Sequence, residues 1–254
     1  MKSNKEIVSV LQNIAKKYPF GLVEEQLKDV RRIAFNIELV VSRKGTNCRI
    51  CDVGGGIGLF TVGCAAIGMK AILVDDFSDA VNRRFGESVL DLHKSYGVQI
   101  VQRDVIKDGM DFPPESLDVI TTFHSMEHWH HSPKQLLSSV VEALVPGGLF
   151  ILGAPNNVNF RKRITVPLGI GDWSQMEDWY EQDVFRAHVR EPSVSDLKYV
   201  ANDMKLVNVS IVGRNWLGYN SRFQLVRALI PFVDRGLRLF PSLCSDIYMI
   251  GTKP

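Results

Sequence analysis

The sequence predicts an α/β protein with a doubly wound, mainly parallel sheet. Three observations carry that expectation. Short apolar segments of strand character alternate with segments of helical period. The first strand runs into a glycine-rich turn and then a helix. Aspartates stand near or just beyond the ends of the first three strands. Such alternation implies βαβ units joined by right-handed crossovers.

Two helical stretches open the chain, residues 5–17 and 24–40. Ile7, Leu11 and Ile14 share one face of the first, and Leu27, Val30, Ala34 and Ile37 recur at helical spacing in the second. Residues 49–53 read as a short apolar strand, followed by the glycine turn and a helix through Ala66. A second strand is expected over 71–74 and a helix over about 79–96. Residues 98–101 and 117–123 supply the third and fourth strands. Residues 134–144 read as helix, and Pro146-Gly147-Gly148 leads into a fifth strand over 149–153. The alternation breaks over 156–192, which is rich in aromatics and charges and has no clear period. It resumes with a helix over 193–204, where Ser193 and Asp196 form a cap signature. A sixth strand covers 207–213 and a seventh 244–251. Between them lies a helical stretch over about 222–240, with an interruption expected at Pro231.

Bulk properties bound the function. The 254 residues suit one large domain with an elaboration. With 45% hydrophobic and 23% charged residues the chain is an ordinary globular one. A net charge of +2 gives no ground for a nucleic-acid partner. No apolar run has the length of a membrane span, and the N-terminus lacks the apolar region of a signal peptide, so the expected compartment is the cytoplasm. Cys48 and Cys51 form a C-x-x-C, but strand residues three apart point to opposite faces and there is no second pair. All four cysteines, with Cys64 and Cys244, read as free thiols in the core.

The chemistry starts at Asp52-Val53-Gly54-Gly55-Gly56-Ile57-Gly58. A glycine turn after a strand lets backbone approach a ligand closely and opens a helix whose first amides face it. The dinucleotide fingerprint G-x-G-x-x-G is the rival reading, but its third glycine falls on Leu59. Asp75, at the end of the second strand, can accept hydrogen bonds from both hydroxyls of a ribose. Asp76 competes with it, and the spacing favours Asp75. Asp104, after the third strand, is placed to accept from an adenine amino group, or else to cap the following turn.

These residues resemble the motifs of class I S-adenosylmethionine-dependent methyltransferases, in the branch (types 11 and 23) that holds quinone-pathway and polysaccharide-cluster sugar O-methyltransferases. The resemblance runs from about Arg49 to Pro155. It rests on Asp52, Gly54, Gly56 and Gly58, on Asp75 and Asp104, on Phe123-His124-Ser125-Met126-Glu127-His128 and on Pro146-Gly147-Gly148. It implies a Rossmann-like sheet of seven strands, the last inserted antiparallel between the fifth and sixth. It implies S-adenosylmethionine as cofactor, held by Asp52, Gly54, Gly55, Gly56, Gly58, Asp75 or Asp76, Asp104, Val105 and His124. The organisation expected is N-terminal helices over 1–45, a cofactor-binding core over 46–155, an acceptor-side insert or lid over 156–192 and the rest of the same sheet over 193–254. A nicotinamide-dependent dehydrogenase and an inactive cofactor-binding module are the alternatives, and Leu59 argues against the first.

Four of the six histidines fall in His124-Ser-Met-Glu127-His128-Trp-His130-His131. Ligands in doubly wound sheets lie beyond the carboxyl ends of strands, so this segment is expected to border the transferred methyl. An imidazole near neutral pKa can take a proton from an attacking hydroxyl. His128 is the first candidate base, with His124 and His188 behind it; His188 matches a histidine at that place in several relatives. His124, Glu127, His128 and His188 also resemble a divalent-metal site of small-RNA 3′-end and some quinone-pathway methyltransferases, which have a carboxylate where His124 stands. The plainer reading, without a metal, is preferred. His130 and His131 are expected to be exposed.

The insert supplies Phe160, Trp173, Trp179, Tyr180 and Phe185, with Trp216 and Tyr219 beyond, and the cations Arg161, Lys162, Arg163, Arg186 and Arg190. Aromatic faces suit rings and sugars, and arginines suit phosphate or carboxylate; the alternative is that the aromatics form a small core of their own. Gly171-Asp172-Trp173-Ser174 and His188-Val189-Arg190-Glu191-Pro192 resemble methyltransferases of polysaccharide assembly, which points to a hydroxyl of a sugar, lipid-linked sugar or other small molecule as acceptor. Finally, Leu225, Ala228, Leu229, Phe232, Val233 and Leu237 lie among Arg222, Arg227, Arg235 and Arg238. Such a helix can rest on an anionic membrane surface. The preferred reading is a crossover helix packed on the sheet with solvated arginines.

Overall fold

A computed structural model of the chain describes residues 3–171, 174–181, 185, 187–219, 221 and 224–254. Trp173, Asp172, Arg186 and Arg222 lie outside the described residues. The strands are β1 (Arg49–Val53), β2 (Lys70–Asp75), β3 (Gln99–Gln102), β4 (Leu117–Phe123), β5 (Leu144–Pro155), β6 (Val207–Arg214) and β7 (Asp246–Thr252). The helices are α1 (Asn4–Ala15), α2 (Phe20–Lys44), α3 (Leu59–Ala66), α4 (Ala80–Ser95), α5 (Val105–Asp108), α6 (Lys134–Ala143), α7 (Phe160–Thr165), α8 (Met176–Tyr180), α9 (Val194–Asp203), α10 (Trp216–Tyr219) and α11 (Gln224–Leu237). The strands form one sheet in the order β3-β2-β1-β4-β5-β7-β6. β1 pairs in parallel with β2 and β4, and β2 with β3. β7 runs antiparallel to β6 and sits between β5 and β6. This is the seven-stranded Rossmann-like sheet that the resemblance implies.

The backbone groups into two units, residues 1–122 with 134–150, and residues 123–133 with 151–254. In the first, Ser3 and Glu6 form a reciprocal cap on α1, and Ile7, Leu11 and Ile14 are buried as their shared face predicts. α2 runs longer than expected at both ends. Its start is set by Pro19, and its stop by Gly45 at φ +70°, after Arg43 and Lys44 in the last turn. Val30, Ala34 and Ile37 are buried, whereas Leu27 faces solvent. β5 starts at Leu144 rather than Leu149. Pro146-Gly147-Gly148, expected to lead into the strand, lies within it, with Gly147 at φ +72°. Cys48, Cys51 and Cys64 are buried free thiols of this unit. Burial pushes the Cys48 thiol up to about 11, as it does Cys244 in the other unit.

In the second unit, Ser193 and Asp196 cap α9 reciprocally, as the sequence predicts. Among its described residues the aperiodic stretch carries the short helices α7 and α8 and a 3₁₀ turn over Val166–Leu168. β7 begins at Asp246, so Cys244 and Ser245 precede it. Two corrections concern the last helix. Pro231 does not interrupt it: α11 is continuous through Pro231. The carbonyl that proline leaves unbonded is four residues back at Arg227, on an exposed stretch where water can satisfy it. Nor is its apolar face covered: α11 meets β6, but only Ile230 and Asp234 of the helix are buried.

Candidate cofactor and catalytic sites

The turn after β1 is closed underneath and open above. Asp52 is buried, and its carboxylate accepts from Thr121 Oγ1 at 2.7 Å and Thr61 Oγ1 at 3.1 Å. A side chain on Gly55 would stand 2.2 Å from Asp52 Oδ2 and 2.9 Å from Leu73 Cδ1, so this position admits only glycine. Gly56, at φ +53°, has open space where its side chain would be. Gly58 caps α3, leaving that helix's first amides directed at the turn. Asp52 therefore lies beneath the glycines, tied to Thr121 and Thr61. Burial lifts its pKa to about 7 against the opposing hydrogen bonds of Thr121 and Thr61.

The two candidate ribose acids separate cleanly. Asp75 is part-buried and accepts from Gly56 N at 2.9 Å through Oδ2 and from Phe77 N at 2.7 Å through Oδ1. Each oxygen keeps a second lone pair. Burial raises its pKa, with the two amides acting the other way. Asp76 is exposed and accepts from Ser78 N and Oγ instead. Asp104 caps α5: it accepts from Lys107 N at 3.3 Å and pairs with Lys107 Nζ at 2.7 Å. That bond and the lysine charge hold its carboxyl below the usual range. Val105 follows it, buried. An open, glycine-lined turn backed by a helix N-terminus, with Asp75 tied to it, fits a nucleoside-bearing cofactor.

The second unit gathers the imidazoles. His124 takes φ +52°, and its amide donates to Gly153 O at 2.8 Å. A side chain on Gly153 would collide at 2.7–2.8 Å with Tyr248 and Phe123, whose rings pack 6.1 Å apart. The His124 ring lies between two buried carboxylates, with Nδ1 3.4 Å from Glu127 Oε1 and Nε2 3.3 Å from Asp246 Oδ1. Asp246 is a member that the sequence reading missed; 122 residues separate it from His124, and no local signal links them. Glu127 is 1% exposed, and neither of its carboxylate oxygens has a hydrogen-bond partner. Its backbone carbonyl accepts from Val189 and Arg190, which fixes the 188–190 segment beside it.

His128 and His188 pack edge to face with centroids 5.0 Å apart, and both are exposed. His188 Nδ1 is 2.7 Å from Glu191 Oε1, and Lys162 pairs with the other oxygen of Glu191. The Glu191 bond raises the His188 pKa, although burial opposes it. Burial alone would raise Glu191, but His188 and Lys162 hold it below the usual range. Ligand atoms of Glu127, His128 and His188 all lie within 4.8 Å of one another. His124 is not in that group. His130 and His131 are exposed, as expected.

Of the expected acceptor residues, Phe160, Trp179 and Tyr180 are 48%, 60% and 73% exposed, so they form no core of their own. Phe185 meets His130 edge to face. Trp216 and Tyr219 serve structure: Trp216 Nε1 donates to Tyr248 and the Tyr219 hydroxyl to Asp234. Among the cations, Arg163 donates to Val158 O and Ser242 O, and Arg190 to Asp196.

Comparison with known proteins identifies the family and matches the fold. The family described as "Methyltransferase domain" matches residues 23–211. No curated protein matches the sequence. A SAM-dependent methyltransferase from Archaeoglobus fulgidus superposes with a TM-score of 0.58 at 17% identity, over 92% of this chain and 100% of that one. A phosphoethanolamine N-methyltransferase 2 from Haemonchus contortus, in complex with phosphomonomethylethanolamine and S-adenosylhomocysteine, superposes with a TM-score of 0.56 at 15% identity, over 100% of this chain and 61% of that one. At these identities the likeness shows the fold, whereas the family match spans most of the chain. The chain therefore belongs to the methyltransferase-domain family, of class I, with S-adenosylmethionine as its cofactor.

Proposed function

We propose that the protein transfers the methyl group of S-adenosylmethionine to a hydroxyl of a small molecule, a sugar or lipid-linked sugar, with His128 as the base. The observation that carries this reading is the exposed His128–His188 pair backed by Glu191. In the proposed arrangement Gly54, Gly55, Gly56 and Gly58 cradle the cofactor, Asp75 accepts from its ribose, and Asp104 with Val105 borders its adenine. The bound cofactor supplies an electrophilic methyl on a sulfonium. The acceptor hydroxyl would receive that methyl, with S-adenosylhomocysteine as the other product, and His128 would take the hydroxyl proton. Both the glycine turn and the His124–His128 segment follow the carboxyl ends of strands, where ligands lie in such sheets. Alignment of the two reactants can supply roughly 7–11 kcal/mol, and a base about 10²–10⁴-fold. The exposed Phe160, Trp179 and Tyr180 suit the apolar faces of a sugar.

A second reading has support in Glu127. A buried carboxylate without hydrogen bonds needs a proton or a cation beside it. Glu127, His128 and His188 would offer a divalent ion mixed carboxylate and imidazole ligands. The test is turnover with labelled cofactor and a panel of sugars, lipid-linked sugars and phenols. His128→Ala is expected to lower the rate on the accepted substrate by about 10²-fold or more, with cofactor affinity within a factor of two or three. Equal rates remove His128 from the mechanism. Loss of activity with a chelator, restored by magnesium or manganese, replaces the plain base with the metal. Methylation of an amine panel alone overturns the hydroxyl acceptor.

A further inference from the structure

We propose that the outward face of α11 docks this protein on an anionic lipid surface. Most of the apolar side chains of α11 face outward. Its inward side holds the buried Ile230, against Gly218, and a polar contact, the fully buried Asp234, which accepts from Asn215 Nδ2 at 2.9 Å and Tyr219 Oη at 3.3 Å and pairs with Arg238. Its outward side carries Leu225, Leu229 and Phe232, 71%, 50% and 78% exposed, at three- and four-residue spacing. Leu239 and Phe240, 76% and 60% exposed, continue the apolar surface past the end of the helix. A crossover helix that served only the sheet would turn these side chains inward.

Charge says what covers them. Residues 224–243 contain one acid, Asp234, and it is buried; Arg227 and Arg235 stay exposed. The neighbouring stretch 157–171 contains no acid and carries the exposed Arg161 and Arg163 beside the half-exposed Phe160 and Ile164, while its Lys162 pairs with Glu191. Arg163 Nη2 donates to Ser242 O at 3.2 Å, which joins α7 to the end of the α11 surface. Exposed apolar side chains ringed by cations match the interface of an anionic bilayer. A second copy of the chain would set this arginine ring against its own image, at a repulsive cost. No helix among the described residues is long and apolar enough to cross a membrane, so the contact is peripheral.

The experiment is flotation of the whole chain with phosphatidylglycerol/phosphatidylcholine vesicles and with phosphatidylcholine vesicles. Its readout is independent of methyl transfer. The protein is expected to float with the anionic vesicles at about 50 mM salt and to lose at least about fivefold in bound fraction at about 500 mM. The double variant Leu229→Asp, Phe232→Asp, at two exposed positions, is expected to bind roughly tenfold more weakly with an unchanged circular dichroism spectrum. Arg235→Glu is expected to weaken binding to anionic vesicles alone. Absence of binding, equal binding to both vesicle types, or undiminished binding of the double variant overturns the proposal. So does a dimer in sedimentation that the same double variant abolishes.

Discussion

Asp52 lies beneath the glycine turn proposed to hold the cofactor. Its carboxyl is walled in by Thr61, Thr121 and the backbone of Gly55, and burial lifts its pKa to about 7. A carboxyl raised in the folded state favours folding below the unfolded value, near 4, and loses that contribution as pH rises through about 7. Asp52→Asn keeps the shape and removes the titration. Urea-unfolding stability of the variant, relative to the parent, is therefore expected to improve between pH 4 and pH 8 by up to about 4 kcal/mol. A constant difference across that range would show that Asp52 does not titrate there. The sequence marks Asp52 by its place before the glycines. Its partner Thr121 is 69 residues away, and only the parallel pairing of β1 with β4 brings it alongside.

At the level of elements, the regular βαβ stretch follows the sequence closely because strand burial and helix caps are local signals. β1 and β4 have the expected bounds, and Asp79 caps α4. α11 departs from expectation because its period identifies an apolar face but not what that face meets. Its anchor is Asp234, and removing one partner of a buried polar network leaves the others unsatisfied. Asp234→Ala is expected to cost on the order of 2–3 kcal/mol, with Arg238 part-exposed and so less penalised. Hydrogen exchange should read this as faster exchange across α11, with the amides of β1 and β2 unchanged. Protection lost equally in β1 would mean that the network supports the whole chain instead of this helix.

For the molecule as a whole, a cofactor that binds only the folded chain adds stability by mass action. S-adenosylhomocysteine at about a hundred times its dissociation constant is expected to add about 2.7 kcal/mol, which for a chain of this size raises Tm by roughly 5–10 °C. Gly55→Ala places a methyl against Asp52 Oδ2 and Leu73, so the turn must open to admit it. This variant should lose most of the cofactor-dependent shift while remaining folded. A full shift in Gly55→Ala would detach the glycine turn from cofactor binding. NAD in place of S-adenosylhomocysteine is expected to give no shift, since Leu59 stands where a dinucleotide turn needs its third glycine.

The sequence by itself determined the class of protein and the position of its glycine turn after β1. Hydrophobic period, caps and the glycine spacing are properties of neighbouring residues, and they need no knowledge of the rest of the chain. It also offered Asp75 and Asp76 together, which differ by one position and so by face. Only the tertiary structure gave them different partners, Gly56 for Asp75 and Ser78 for Asp76. Likewise it set His124 between Glu127 and Asp246, brought His188 against His128, and turned the apolar face of α11 outward. Each depends on which distant segments meet, and that is fixed by sheet order and by packing across the chain, which no local pattern encodes.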